Sequence, residues 1–146
     1  FGTLAPPNLT SGVGGIGGTL NDEDILRAIR HGIGRDGEAL MIMPSDYFNR
    51  IGDADLGAIV AYIKSLPPVD NEVPETSLAP LGRVVALLSP GGLLSAREID
   101  HVAPRPPDPV RGVTAEYGKY LATICSACHG ENLSGGSVPW DFDRSE

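Results

Sequence analysis

Five residues near the C-terminal end constrain this chain most: Cys125-Ser126-Ala127-Cys128-His129. Two thiols separated by two residues share one side of a helical turn. There they can add across the vinyl groups of a porphyrin, and the neighbouring imidazole can sit under its iron. On those grounds C-x-x-C-H is the attachment signature of c-type haem. A chain that carries it must wrap a large apolar macrocycle. Cys125 and Cys128 are the expected covalent anchors, and His129 is the expected proximal iron ligand.

Other chemistries use part of the same pattern. A bare C-x-x-C is also a dithiol redox motif, but that reading calls for a βαβ setting, which the sequence lacks. A zinc site needs more ligands than two Cys, and His31 and His101 stand far off without ligand spacing. A structural disulfide also remains open. Thiol–disulfide oxidoreductase, using Cys125 and Cys128, is therefore the alternative function. It demands a low thiol pKa. A haem enzyme with an open distal site is a third reading.

Composition agrees with a small, loop-rich haem protein. Aromatic residues are 5% of the 146, against 19 Gly and 13 Pro, so a protein-only core would be modest. The formal net charge of −8 argues against nucleic acid, since phosphate recognition needs a basic face. An acidic surface instead suits a basic redox partner. The best apolar run, Val84 to Leu94, is broken by Pro90-Gly91-Gly92 and is too short to span a membrane. The chain opens on Phe1 rather than Met, and an upstream segment is expected.

The pattern predicts an all-α fold of short helices and long loops. Residues 1–18 read as loop. Gly12-Val13-Gly14-Gly15-Ile16-Gly17 formally fits G-x-G-x-x-G, but no strand precedes it. A first helix starts at the N-cap Asn21, with Asp24 completing a capping box and Gly32 as its stop. Residues 33–51 read as a loop. A second helix runs from about Asp53 to Leu66, with Leu56, Ile59, Val60 and Ile63 at helical spacing, and Pro67-Pro68 ends it. Residues 69–112 read as a Pro-rich linker. Within it a short helix is expected around Leu81 to Leu88, and Arg105 to Pro109 is expected to be extended and solvated. A third helix, capped by Thr114, carries Tyr117, Leu121 and Ile124 on one face and delivers Cys125–His129 at its end. Gly118 is expected to admit a close helix. Trp140 reads as packing.

Met41-Ile42-Met43-Pro44 is the second candidate site. A thioether is a soft iron ligand opposite His in cytochromes c, and the following Pro holds Met43 extended. From spacing alone, core or loop filler is the more ordinary reading of both methionines.

Asn8-Leu9-Thr10, Gly15-Ile16-Gly17-Gly18, Arg30-His31-Gly32-Ile33-Gly34-Arg35-Asp36-Gly37, Met43-Pro44-Ser45 and Asp53 to Pro68 together resemble the back half of a class I cytochrome c domain. The likeness is to tandem multihaem cytochromes such as the cytochrome subunits of membrane-bound alcohol dehydrogenases. Tyr117-Gly118-Lys119-Tyr120-Leu121 and Cys125 to Gly130 resemble the front half of another such domain. The resemblance implies two incomplete cytochrome c-like modules. Residues 1–68 are the C-terminal part of one, 69–112 a linker, and 113–146 the N-terminal part of the next. It also implies that Met43 is a distal ligand, of a different haem from His129. A single haem shared by the two halves, as in a circular permutant, is the lesser reading. Tyr62 and Tyr117, in separate modules, are not expected to meet. The implied function is electron transfer through haem c iron, not catalysis. The implied partners are a dehydrogenase or another cytochrome, the place is periplasmic, and any membrane anchor lies outside these residues. His31 and Arg35 are candidate propionate contacts, and Tyr47 and Phe48 candidate packing beside the haem. His101 reads as surface.

Overall fold

A computed structural model describes residues 2–88, 93–105 and 107–135. The described chain is mainly helical. Its helices are α1 (Asp22–His31), α2 (Ser45–Phe48), α3 (Asp53–Ser65), α4 (Pro80–Leu88), α5 (Ala115–Ala122) and α6 (Ser126–His129). The all-α expectation needs one small correction. Two-residue strands β1 (Gly2–Thr3) and β2 (Ser77–Leu78) pair antiparallel. Trp140 lies outside the described residues.

Helix α1 begins and ends as its sequence dictates. Asp24 donates its N–H to Asn21 Oδ1 at 2.8 Å, and Asn21 donates its N–H to Asp24 Oδ2 at 3.1 Å, closing the capping box. At the far end Gly32 adopts φ 64°, where a side chain would be strained, and its N–H reaches the Ala28 carbonyl at 3.1 Å. Ile25 is buried towards α2 and α3, where Ile51, Leu56 and Val60 form the core. The predicted loop 33–51 contains α2, one turn that Pro44 starts and that packs on α1.

The linker differs from expectation. Its first part is fastened to the N-terminal segment: Asn8 Nδ2 donates to the Val69 carbonyl at 2.8 Å, and Val13 N–H to Asp70 Oδ1 at 2.8 Å. Its middle forms the short helix expected there, α4, with Gly82 and Ala86 inward, whereas Val84, Leu87 and Leu88 face outward. A 3-10 turn follows at Ser95–Glu98, and Leu93, Ala96 and Ile99 join the core.

Arg105 and Asp108, in the segment expected to be solvated, are exposed, and both are also tied to the start of α3. Arg105 donates to Asp53 Oδ1 at 2.7 Å. Asp108 accepts the N–H groups of Asp53 at 2.7 Å and Ala54 at 3.2 Å. Gly52, the N-cap of α3, has no side chain to satisfy these donors, so a distant carboxylate does. A Cβ at Gly52 would lie 2.2 Å from that carboxylate.

Leu56 is fully buried, at 0% exposure. Leu56→Ala should therefore cost about 2–5 kcal/mol of unfolding free energy, read by denaturant titration.

Candidate functional site

Thr114 accepts the Tyr117 N–H at 3.1 Å and starts α5, as read from sequence. The helix does not run on into the motif. It stops at Ala122, and the one-turn α6 restarts at Ser126. Across the break the backbone bonds tighten to i→i−3. Cys125 N–H reaches Ala122 O at 3.0 Å, Ser126 N–H reaches Thr123 O at 3.3 Å, and Cys128 N–H reaches Cys125 O at 3.2 Å. Side chains three apart eclipse in such a turn. Cys125 and Cys128 thus stand on one face, both as free, exposed thiols. His129 is exposed at the end of the same turn.

That donor set fits haem c: two accessible sulfurs on one side and an adjacent imidazole. Among the described residues no three His, Cys, Asp or Glu side chains gather as a metal cluster, so the zinc reading gains no further ligands.

Helix α5 docks against the start of α3. The Tyr120 hydroxyl donates to Asp55 Oδ2 at 2.7 Å and accepts the Gly52 N–H at 3.1 Å. Burial and the neighbouring Asp55 carboxylate push the Tyr120 phenol above its ordinary pKa. Arg111 pairs with Asp55. Between these helices lies a cleft of about 220 Å³, walled by Tyr47, Ile51, Ile59, Tyr117, Leu121 and Ile124. It is smaller than the roughly 300–1,000 Å³ that encloses a typical small ligand. Its walls offer apolar surface next to the thiol-bearing turn. Tyr117 lines it, while Tyr62 is exposed and does not. Gly118 has open space at its Cβ position, so the close approach expected there is absent.

Met43 does not line this cleft. It is half-buried, and its carbonyl accepts from the Ser95 hydroxyl and from the Ser45 N–H, the latter at 2.8 Å. Arg35 is exposed. His31 and His101 do meet. Their Nδ1 atoms are 3.0 Å apart, and His101 Nε2 lies 2.9 Å from the Ala96 carbonyl. A carbonyl only accepts, so neutral His101 carries its proton on Nε2 and His31 donates from Nδ1.

Sequence reasoning missed Arg30, Ser95, Asp108 and Tyr120. Arg30 is 2% exposed, donates to the Ile51 carbonyl at 2.9 Å, and pairs with Asp53 at 2.7 Å. Arg105 and Arg30 together hold the Asp53 carboxyl below the usual range. The one available signal was Gly52, a side-chain-free N-cap before an acidic helix start.

No protein-family model matches the chain. It is 33% identical over 141 residues to one of the subunits of the nicotinate dehydrogenase of Pseudomonas putida, covering 92% of this chain and 12% of that protein. It is 40% identical over 80 residues to the fructose dehydrogenase cytochrome subunit of Gluconobacter japonicus, covering 53% of this chain and 16% of that protein. The chain thus spans under a fifth of the length of either relative.

Burial, then the proximity of His101, Arg30 and Arg105, pulls His31 below the ordinary imidazole pKa. The unfolded chain then binds more protons at and just below the ordinary imidazole pKa, so stability is full above that value and falls as pH drops through it. His31→Gln should flatten that slope in urea midpoints measured across that pH range.

Proposed function

We propose that this chain is part of a multihaem c-type cytochrome that relays electrons from a dehydrogenase. The observation that carries the reading is the Cys125–His129 turn, with two free, exposed thiols three residues apart and an exposed histidine directly after them. The similarity to a protein named a dehydrogenase cytochrome subunit supports it, as does the mainly helical, loop-rich fold. Haem c supplies one-electron iron chemistry when bound. Cys125 and Cys128 would hold it through thioethers, and His129 would ligate its iron. Met43 would ligate the iron of a different haem.

In this reading residues 1–68 and 113–146 belong to successive cytochrome c modules, and 69–112 connects them. The connection is a structured one: Arg105, Asp108 and Arg111 fasten it to α3. Apolar walls such as Ile59, Leu121 and Ile124 would keep water from a macrocycle edge, which tunes the reduction potential. The protein is then an electron carrier, with a dehydrogenase or another cytochrome as partner. Its place is periplasmic, where haem c is attached. Among the described residues no helix is long and apolar enough to cross a membrane.

Mass spectrometry of the denatured protein tests this after expression with c-type maturation machinery. A covalent haem increment is expected in the parent and should disappear in Cys125→Ala/Cys128→Ala. No increment, with the loss of a hydrogen pair on oxidation instead, would replace the cytochrome with the dithiol oxidoreductase.

A further inference from the structure

Residues 93–101 cross the methionine loop as a strap. Ile42 donates its N–H to the Leu93 carbonyl at 2.9 Å. The Ser95 hydroxyl accepts the Ser45 N–H at 3.1 Å and donates to the Met43 carbonyl. Ser95 is 5% exposed and Ser45 0%. Ser45 in turn donates from its hydroxyl to the Ala28 carbonyl at 3.3 Å, tying the loop to α1. At the far end of the strap, His101 bonds to His31. Backbone groups of residues 42, 43 and 45 are therefore all held by two strap residues, Leu93 and Ser95.

The loop needs holding. Ile42 sits at φ 59°, a left-handed conformation that β-branched residues rarely adopt. Such backbone persists only where its surroundings over-determine it. Met43 follows directly, so the direction of its side chain is set by a strained residue whose N–H is fastened to Leu93.

We infer that Ser95 is a positioning residue for Met43, and that the strap sets how firmly the thioether is presented to iron. This rests on Met43 being an axial ligand. A thioether that leaves more readily lets an outside ligand in. The apparent affinity for that ligand scales with the fraction of protein in which the thioether is off the iron.

The test is imidazole binding to the ferric, haem-loaded full-length protein, followed by visible spectroscopy. Ser95→Ala should bind imidazole at least about tenfold more tightly at the methionine-ligated haem, since it loses both hydrogen bonds of the Ser95 hydroxyl, to the Ser45 N–H and to the Met43 carbonyl. Ser95→Thr, which keeps the hydroxyl, should restore the parent affinity. Thr76→Val removes hydrogen bonds to Ala5, away from the loop, and should change nothing. Parent affinity in Ser95→Ala, or equal tightening in Thr76→Val, overturns the inference. Met43→Ala separates the two ideas. It should weaken the far-red sulfur-to-iron band by the share of one haem, the other haems of the full protein keeping theirs. An undiminished band removes Met43 as ligand and the role of Ser95 with it. A weakened band with an unchanged Ser95→Ala overturns the strap alone.

Discussion

The start of α3 is the point on which the described structure turns. A helix N-terminus presents backbone N–H groups with no partner inside the helix. Here the N-cap is Gly52, and its bareness lets Asp108 come close enough to accept two of those donors. The same few residues carry the Arg30 guanidinium beneath and the Tyr120 hydroxyl alongside. Burying a guanidinium is costly unless it is paired. Asp53 and the Ile51 carbonyl supply the pairing, and Asp53 is shared with Arg105. One helix end thereby collects α1, the linker and α5.

This convergence explains why the linker is ordered where it touches. Outside α4 and the 3-10 turn, this proline-rich run has little backbone network of its own, so its conformation there is set by what it binds. Residues 69–71 bind the N-terminal loop, 93–101 bind α1 and the methionine loop, and 105–111 bind α3. The two candidate chemical sites lie on separate parts of this frame. The thiol-bearing turn borders the α3–α5 cleft, and Met43 lies under the strap.

What was legible in the sequence was local. The Asn21–Asp24 box, the Gly32 stop, the spacing of Leu56 and Val60, and the Thr114 cap each involve residues within a few positions of one another, and each forms. The C-x-x-C-H motif is equally local. Its anchors were named from sequence, but the break after Ala122 was not. That break arises from the i→i−3 bonding around Thr123, which apolar periodicity does not report. The strap, the Asp108 cap and the His31–His101 pair were illegible for a different reason. Their partners stand 50, 55 and 70 residues apart, and nothing in either stretch alone announces the other. The outward-facing Val84, Leu87 and Leu88 show the converse: an apolar pattern predicts a helix without saying what covers it.

The carboxylate cap of α3 has a consequence for the order in which the chain acquires its shape. Contacts at large sequence separation form slowly, because loop closure must precede any gain from them. During synthesis from the N-terminus, α1 can close its capping box as soon as Asp24 has emerged. Helix α3 cannot. Its first turn stays uncapped until Asp108 leaves the ribosome, and Gly52 keeps a free N–H until Tyr120 follows. The nascent chain therefore holds a frayed helix start open for more than fifty residues of elongation. Its last closing contacts form only as the thiol-bearing turn itself comes into reach.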